Sequence, residues 1–245
     1  MVGRASAVLG LVAALAAYDS LHARLWSASD WWDVAFLACV LIPASFALVW
    51  LLLPLRSARG LLPAGAALAV LAIVLHVAGL HIAGLHTPEN IVKFFAIVLV
   101  GFWFLGYFET AAWVVIVSLV IPWVDAYSVW KGPTKVIVTH HAHVFTTLSY
   151  AFPIPGEHTA ANLGVPDVLF FALFLAAAAR FALRTGWTWL LLTVSFGVTI
   201  ALAVGFSLAG LPALPGLSLG FLLPNADLLW AKLLAARRER PDTSG

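Results

Sequence analysis

The chain has 245 residues, of which 63% are hydrophobic and 10% charged, against about 25% charged in an ordinary soluble domain. So large an apolar excess cannot be hidden in one core, which excludes a water-soluble domain and makes lipid the solvent for much of the surface. With 13 basic and 11 acidic residues the net charge is +2 and no long basic run occurs, so there is no nucleic-acid footprint; the single Cys39 excludes an internal disulfide and a cysteine-based metal cage, and reads as a small buried hydrophobe.

Backbone groups in hydrocarbon must be paired within a helix or a closed barrel. The apolar runs are long and do not alternate, so they predict helices. In chain order the spans are Ala5 to Leu21, Val34 to Leu55, Leu61 to Ile82, Ile91 to Tyr107, Thr110 to Trp130, Val168 to Leu183, Trp187 to Ala209 and Leu214 to Trp230, about eight transmembrane helices in all. The first run, beginning at Arg4, resembles a signal-peptide core but lacks a small-residue cleavage site before Asp19, so it is read as retained. The expected fold is an all-α polytopic membrane protein, one membrane domain over residues 1–245. It divides into N-terminal helices 5–107, helices 110–230 interrupted by a hydrophilic loop 131–166, and a basic tail 231–245. Val136 to Thr139 and Thr147 to Phe152 are β-prone, so a short β-hairpin is expected in that loop. Trp26, Trp31, Trp32, Trp130 and Trp187 lie near span ends, as an aromatic belt predicts.

Orientation follows from Lys and Arg in short loops. Arg4, Arg56, Arg59, Arg180, Arg184, Lys232, Arg237, Arg238 and Arg240 fall on one side, against Arg24, Lys93, Lys131 and Lys135 on the other. Nine against four predicts a multi-pass protein of the cell membrane with both termini cytoplasmic and the loop 131–166 outside.

Carboxylates within spans are costly and mark sites or ion paths. Asp125 lies in the fifth predicted span, Asp167 opens the sixth and Asp227 lies in the last, while Glu109 reads as a solvated helix end between two spans. Asp227 has two readings, a polar notch with Pro224 and Asn225 or a residue of the interface near Trp230 and Lys232. Asp125 and Asp167 have a chemical reading as a pair. Two carboxylates that meet in a low-dielectric site cannot both ionise, so one keeps a proton and the two serve as base and acid toward a water attacking an amide. The same residues also fit a proton relay in a transporter or channel, or plain helix caps. His140, His141, His143 and nearby His158 have no acidic or cysteine companion, so no metal or other cofactor is expected. His76, His81 and His86 recur every five residues and share no helix face.

The order of these residues resembles the presenilin and signal peptide peptidase family of intramembrane aspartyl proteases, above all its microbial members. Val124 and Asp125, continuing through Ala126, Tyr127, Ser128, Val129 and Trp130 to Lys131, look like the family's Tyr-Asp motif. Gly164, Val165, Pro166 and Asp167 look like its Gly-x-Gly-Asp motif, and Pro212, Ala213 and Leu214 match its Pro-Ala-Leu motif. The resemblance covers roughly Trp113 to Leu222. It departs at Val124, where the family has tyrosine, and at Pro166, where it has glycine; proline suits the first turn of a helix. The resemblance implies a presenilin-like fold and an aspartic endopeptidase with Asp125 and Asp167 catalytic. Gly164, Val165, Pro166, Pro212, Ala213 and Leu214 would then line the substrate cleft. It also implies transmembrane-helix substrates, unwound by pairing with a strand near the second aspartate. The cytoplasmic C-terminus matches the signal peptide peptidase orientation and points to signal peptide remnants or type II anchors. A family member that binds helices without cleaving them is the other reading the motifs allow.

Overall fold

The computed structural model describes residues 2–79, 82, 84–132, 147–206, 208 and 211–238. The expected strand at Val136 to Thr139 and the histidines at 81, 140, 141 and 143 lie outside the described residues.

In chain order the elements are α1 (Val2–Leu21), α2 (Asp30–Phe36), a single π turn (Leu37–Leu41) leading into α3 (Ile42–Leu52), α4 (Leu61–Gly79), α5 (His86–Phe104) and α6 (Ala111–Trp130). Strands β1 (Tyr150–Pro153) and β2 (Ala160–Leu163) follow, then α7 (Val165–Arg180), α8 (Thr185–Gly205), α9 (Leu214–Leu222) and α10 (Ala226–Arg238). Among the described residues, seven helical segments are long and apolar enough to cross a membrane. The chain is therefore an all-α, multi-pass membrane protein with one small antiparallel hairpin.

The expected eighth span is α7, and it is different in kind. Its 16 residues rise about 24 Å, short of the about 20 residues a lipid-facing span needs. Lipid hardly meets it: α5, α6, α8 and α9 pack around it, and every residue from Phe171 to Ala178 has 0% of its surface accessible. A helix walled in by protein need not match the bilayer thickness. An aromatic chain ties it to its neighbours. Phe46 of α3 stacks on Phe171 of α7 at 3.9 Å and on Phe196 of α8 at 5.0 Å, while Phe174 of α7 stacks on Phe221 of α9 at 5.0 Å. Between α5 and α7 the approach is closer than a side chain permits: a Cβ on Gly101 would lie 2.8 Å from the Leu169 carbonyl oxygen and 3.0 Å from the Ala172 Cβ. Lipid tails give helices no hydrophobic reason to associate, so such small-residue contacts carry much of the packing.

The hairpin is fastened to the helices by polar groups. Asn90 of α5 donates from Nδ2 to the Ala151 carbonyl at 2.8 Å and accepts the Ala151 N–H on Oδ1 at 2.9 Å, so one side chain imitates a neighbouring strand. Tyr18 of α1 donates its hydroxyl to the Pro153 carbonyl at 2.7 Å. Gly156, at φ 72°, turns the hairpin and donates its N–H to the His22 carbonyl at 2.7 Å; a Cβ there would sit 2.4 Å from the Ser27 nitrogen. Tyr150 packs on Phe94 and bonds Ser45 through its hydroxyl at 3.2 Å, and burial pushes its phenol up to about 12, so it stays neutral.

Two expectations need correction, for Cys39 and for the strands of the hairpin. Cys39 is exposed on the π turn rather than buried in protein. The last span holds over Leu214–Leu234, with a 3-10 turn at Leu223–Asn225, where Pro224 cannot donate to a continuous ladder. The basic residues from 231 onward begin on α10, which runs to Arg238. The hairpin exists, but Thr147 and Leu148 are helical, and the second strand is the weakly β-prone Ala160–Leu163, held by pairing across the turn.

Replacing Gly101 by alanine forces α5 and α7 apart and should cost about 1–3 kcal/mol, read as a lowered Tm in detergent; an unchanged Tm would mean that the two helices pack less tightly than described.

Candidate active site

Two helix starts define the site. α7 begins at Gly164, its N-cap residue in extended conformation, followed by Val165, Pro166 and Asp167. α9 begins with Ala213 as N-cap, in helical rather than extended conformation, then Leu214 and Pro215. The first turn of a helix leaves backbone N–H groups without acceptors. Proline at the second position deletes one of them and fixes φ for the turn. Pro166 therefore removes a donor that the helix has no use for.

The remaining donors meet the two aspartates. The Gly164 N–H points at Asp167 Oδ2 at 3.1 Å. The Leu214 N–H points at Asp125 Oδ2 at 3.0 Å, across 89 positions of sequence. Asp125 comes from α6, which packs on both α9 and α7. Pro122 deletes one N–H of the α6 ladder just before it. Both carboxyls are half-buried. Each thus has one oxygen fixed by a backbone donor at a helix N-terminus, where the helix dipole favours negative charge. The opposite oxygen of each has no hydrogen-bond partner among the described residues. Gly164 also supplies room: a Cβ on it would stand 3.1 Å from Asp167 Oδ2.

The structure bonds Asp167 to Gly164 and Asp125 to Leu214, with Val165, Pro166, Pro212 and Ala213 in the same two helix starts. Val124 is 53% exposed on the surface of α6. Lys131 stands exposed at the end of α6, and the Asp125 partner is the Leu214 backbone.

The other acids belong elsewhere. Glu109 sits in the exposed turn between α5 and α6. Asp227 is exposed and receives a two-pronged bond from Arg184 at 2.6 and 2.7 Å, which holds the guanidinium above its ordinary value. Arg184 also donates to the Pro224 carbonyl at 2.7 Å, while buried Asn225 accepts the Arg184 N–H and donates to Thr188 and the Phe221 carbonyl. The polar notch of the last span is a clasp between the α7–α8 turn and the α9–α10 break.

Sequence reasoning missed a cluster around buried Glu89 of α5. Lys93 Nζ lies 3.1 Å, His76 Nδ1 3.2 Å and His86 Nδ1 3.7 Å from its carboxyl oxygens. The five-residue histidine spacing builds no face on one continuous helix, but α4 stops at Gly79 and His86 opens α5, so the two rings converge from different helices. The Glu89–Lys93 spacing was the available signal. Asn90 and Lys93, which donates to the Thr147 carbonyl at 3.0 Å, connect this cluster to the hairpin entry. Among the described residues no group of three His, Cys, Asp or Glu side chains could hold a metal ion.

No family model, curated protein or solved structure matches this chain.

Because the amide oxygen can still accept the backbone N–H, Asp125→Asn and Asp167→Asn should each fold with a Tm close to that of the unsubstituted protein. A fall as large as a core truncation would show that the carboxylates are there to hold the fold.

Proposed function

We propose that the chain is an intramembrane aspartyl endopeptidase of the presenilin and signal peptide peptidase type, cleaving peptide bonds within transmembrane segments. The observation that carries this reading is the pair of anchors, Gly164 N–H on Asp167 and Leu214 N–H on Asp125, on helices that touch: α6, which bears Asp125, packs against both α7 and α9. Asp167 caps its own helix, whereas Asp125 reaches the start of α9 from within the spanning helix α6, where a carboxylate is costly and marks a site.

The chemistry follows from the oxygens left free. A water between the two carboxyls gives a proton to the ionised one as its oxygen attacks the scissile carbonyl carbon, and the protonated one gives its proton to the carbonyl oxygen. The resulting diol collapses with the roles reversed: a carboxylate takes back a hydroxyl proton, the other protonates the departing nitrogen, and the C–N bond breaks. No covalent intermediate and no cofactor are needed.

A helical substrate shields its own carbonyls, so it must be held extended. The hairpin has one edge for this. The register pairs Tyr150 with Leu163 and Phe152 with Ala161, and the Ile154 N–H continues the ladder to the Thr159 carbonyl at 3.2 Å. Ala151 and Pro153 therefore face outward on β1, where Asn90 and Tyr18 have already taken them. On β2 the outward residues are Ala160, whose carbonyl accepts from Asn162 Nδ2 at 3.2 Å, and Asn162, whose backbone N–H and C=O have no hydrogen-bond partner among the described residues. A substrate strand laid along β2 runs directly toward Gly164 and Asp167. The charge asymmetry of the loops places this hairpin on the outer side and favours substrates whose N-terminus is cytoplasmic.

Purified protein in detergent should cleave a transmembrane peptide, and Asp125→Ala and Asp167→Ala should each abolish cleavage; solute uptake with no proteolysis, or cleavage surviving either substitution, overturns the reading. Asn162→Pro removes the outward N–H at a position where an edge strand tolerates proline, and should lower cleavage by about ten-fold or more, whereas Asn162→Ala should retain it. Equal rates for the two would move the substrate off the β2 edge.

A further inference from the structure

At the far end of α7 from the aspartates, four chain segments leave a cavity of about 700 Å³. It is bounded by the turn that ends α3, the first turn of α4, the end of α5 and the end of α7, and Arg56 and Arg180 line it together with Ser57, Leu62 and Trp103. Neither arginine has a carboxylate partner among the described residues, whereas Arg184 one turn away does. Each gives one N–H to the carbonyl that ends a helix: Arg56 to Leu53 at 3.0 Å and Arg180 to Leu105 at 2.8 Å. These bonds fix the two guanidinium planes by their edges. Arg180 is further held over the Phe181 ring at 5.4 Å.

One donor is left over in a place where donors are seldom left. The Arg56 Nε is buried and has no hydrogen-bond partner among the described residues, and a buried N–H on a charged group without an acceptor is costly. Guanidinium forks match the geometry of phosphate oxygens. The apolar part of the wall, from Leu62 to Trp103, suits the glycerol and acyl roots that adjoin a headgroup phosphate, and basic pockets between helices at this depth are where such headgroups bind.

We infer that the Arg56–Arg180 cavity is a binding site for an anionic phosphate group, supplied by a lipid headgroup or by free phosphate. The occupied site ties the ends of α3, α5 and α7 together through a single anion. It is separate from the aspartate pair and does not depend on what that pair does.

The test uses the full chain in detergent, with phosphatidylglycerol, phosphatidylcholine or inorganic phosphate added separately, reading bound adducts by native mass spectrometry and Tm in parallel. Phosphatidylglycerol is expected to be retained and to raise Tm, with binding about ten-fold weaker in Arg56→Gln, the loss of one charge-assisted contact. Ser57→Glu leaves both arginine-to-carbonyl bonds in place and sets a carboxylate in the cavity. It should fold with an unchanged Tm in the absence of lipid and lose the adduct as well. Retention of phosphatidylglycerol alone assigns the lipid as source; equal stabilisation by inorganic phosphate assigns the free ion. Phosphatidylglycerol binding undiminished in both variants, or no binding of any of the three, overturns the assignment.

Discussion

In hydrocarbon, a helix start without acceptors and a carboxylate without donors are both too costly to stand alone, and this chain lets each satisfy the other twice. Gly164 and Leu214 present backbone N–H groups at the starts of α7 and α9, and Asp167 and Asp125 receive them. Much else in the fold serves to keep those two helix starts together. α7 can be short and central because α5, α6, α8 and α9 enclose it. The stacked rings of Phe46, Phe171 and Phe196 and the pair Phe174 and Phe221 fix its position laterally. Prolines at the second position of both helices remove the neighbouring donors that would otherwise compete for the same carboxylates.

The hairpin obeys the same constraint with a different solution. A two-stranded ribbon is barely stable alone, and its outer β1 edge would be an open row of polar groups beside the bilayer. Asn90 and Tyr18 close that edge from α5 and α1, and Gly156 lets the turn settle on the α1–α2 connection. What remains open is the β2 edge at Asn162, continuous with Gly164. An edge left unpaired next to two fixed carboxylates is a place for an extended peptide, which connects the hairpin architecture to the proposed peptide hydrolysis.

The long apolar runs made most helices legible in the sequence, and the scarcity of charge made Asp125 and Asp167 conspicuous. Their partners were legible only in part. That Asp167 would sit in the first turn of its helix follows from Gly164 and Pro166; that Leu214 would reach Asp125 is a contact between distant segments which no local pattern encodes. The Asn90 clamp was invisible for the same reason, since it crosses 61 positions of sequence from a helix to a strand. β2 has the composition of a poor strand and exists because β1 pairs with it. The convergence of His76 and His86 on Glu89 was hidden by treating the five-residue spacing as one helix, when a turn intervenes.

The central claim is that Asp125 and Asp167 act as one acid–base pair on a tetrahedral carbon. It is tested most directly by the affinity of a transmembrane peptide in which a hydroxyl-bearing carbon replaces the scissile carbonyl, mimicking the diol between the two carboxyls. The account predicts that the unsubstituted protein binds this peptide far more tightly than its hydroxyl-free counterpart, and that Asp125→Asn and Asp167→Asn each erase the difference. A preference for the hydroxyl that survives in either variant would contradict a shared site.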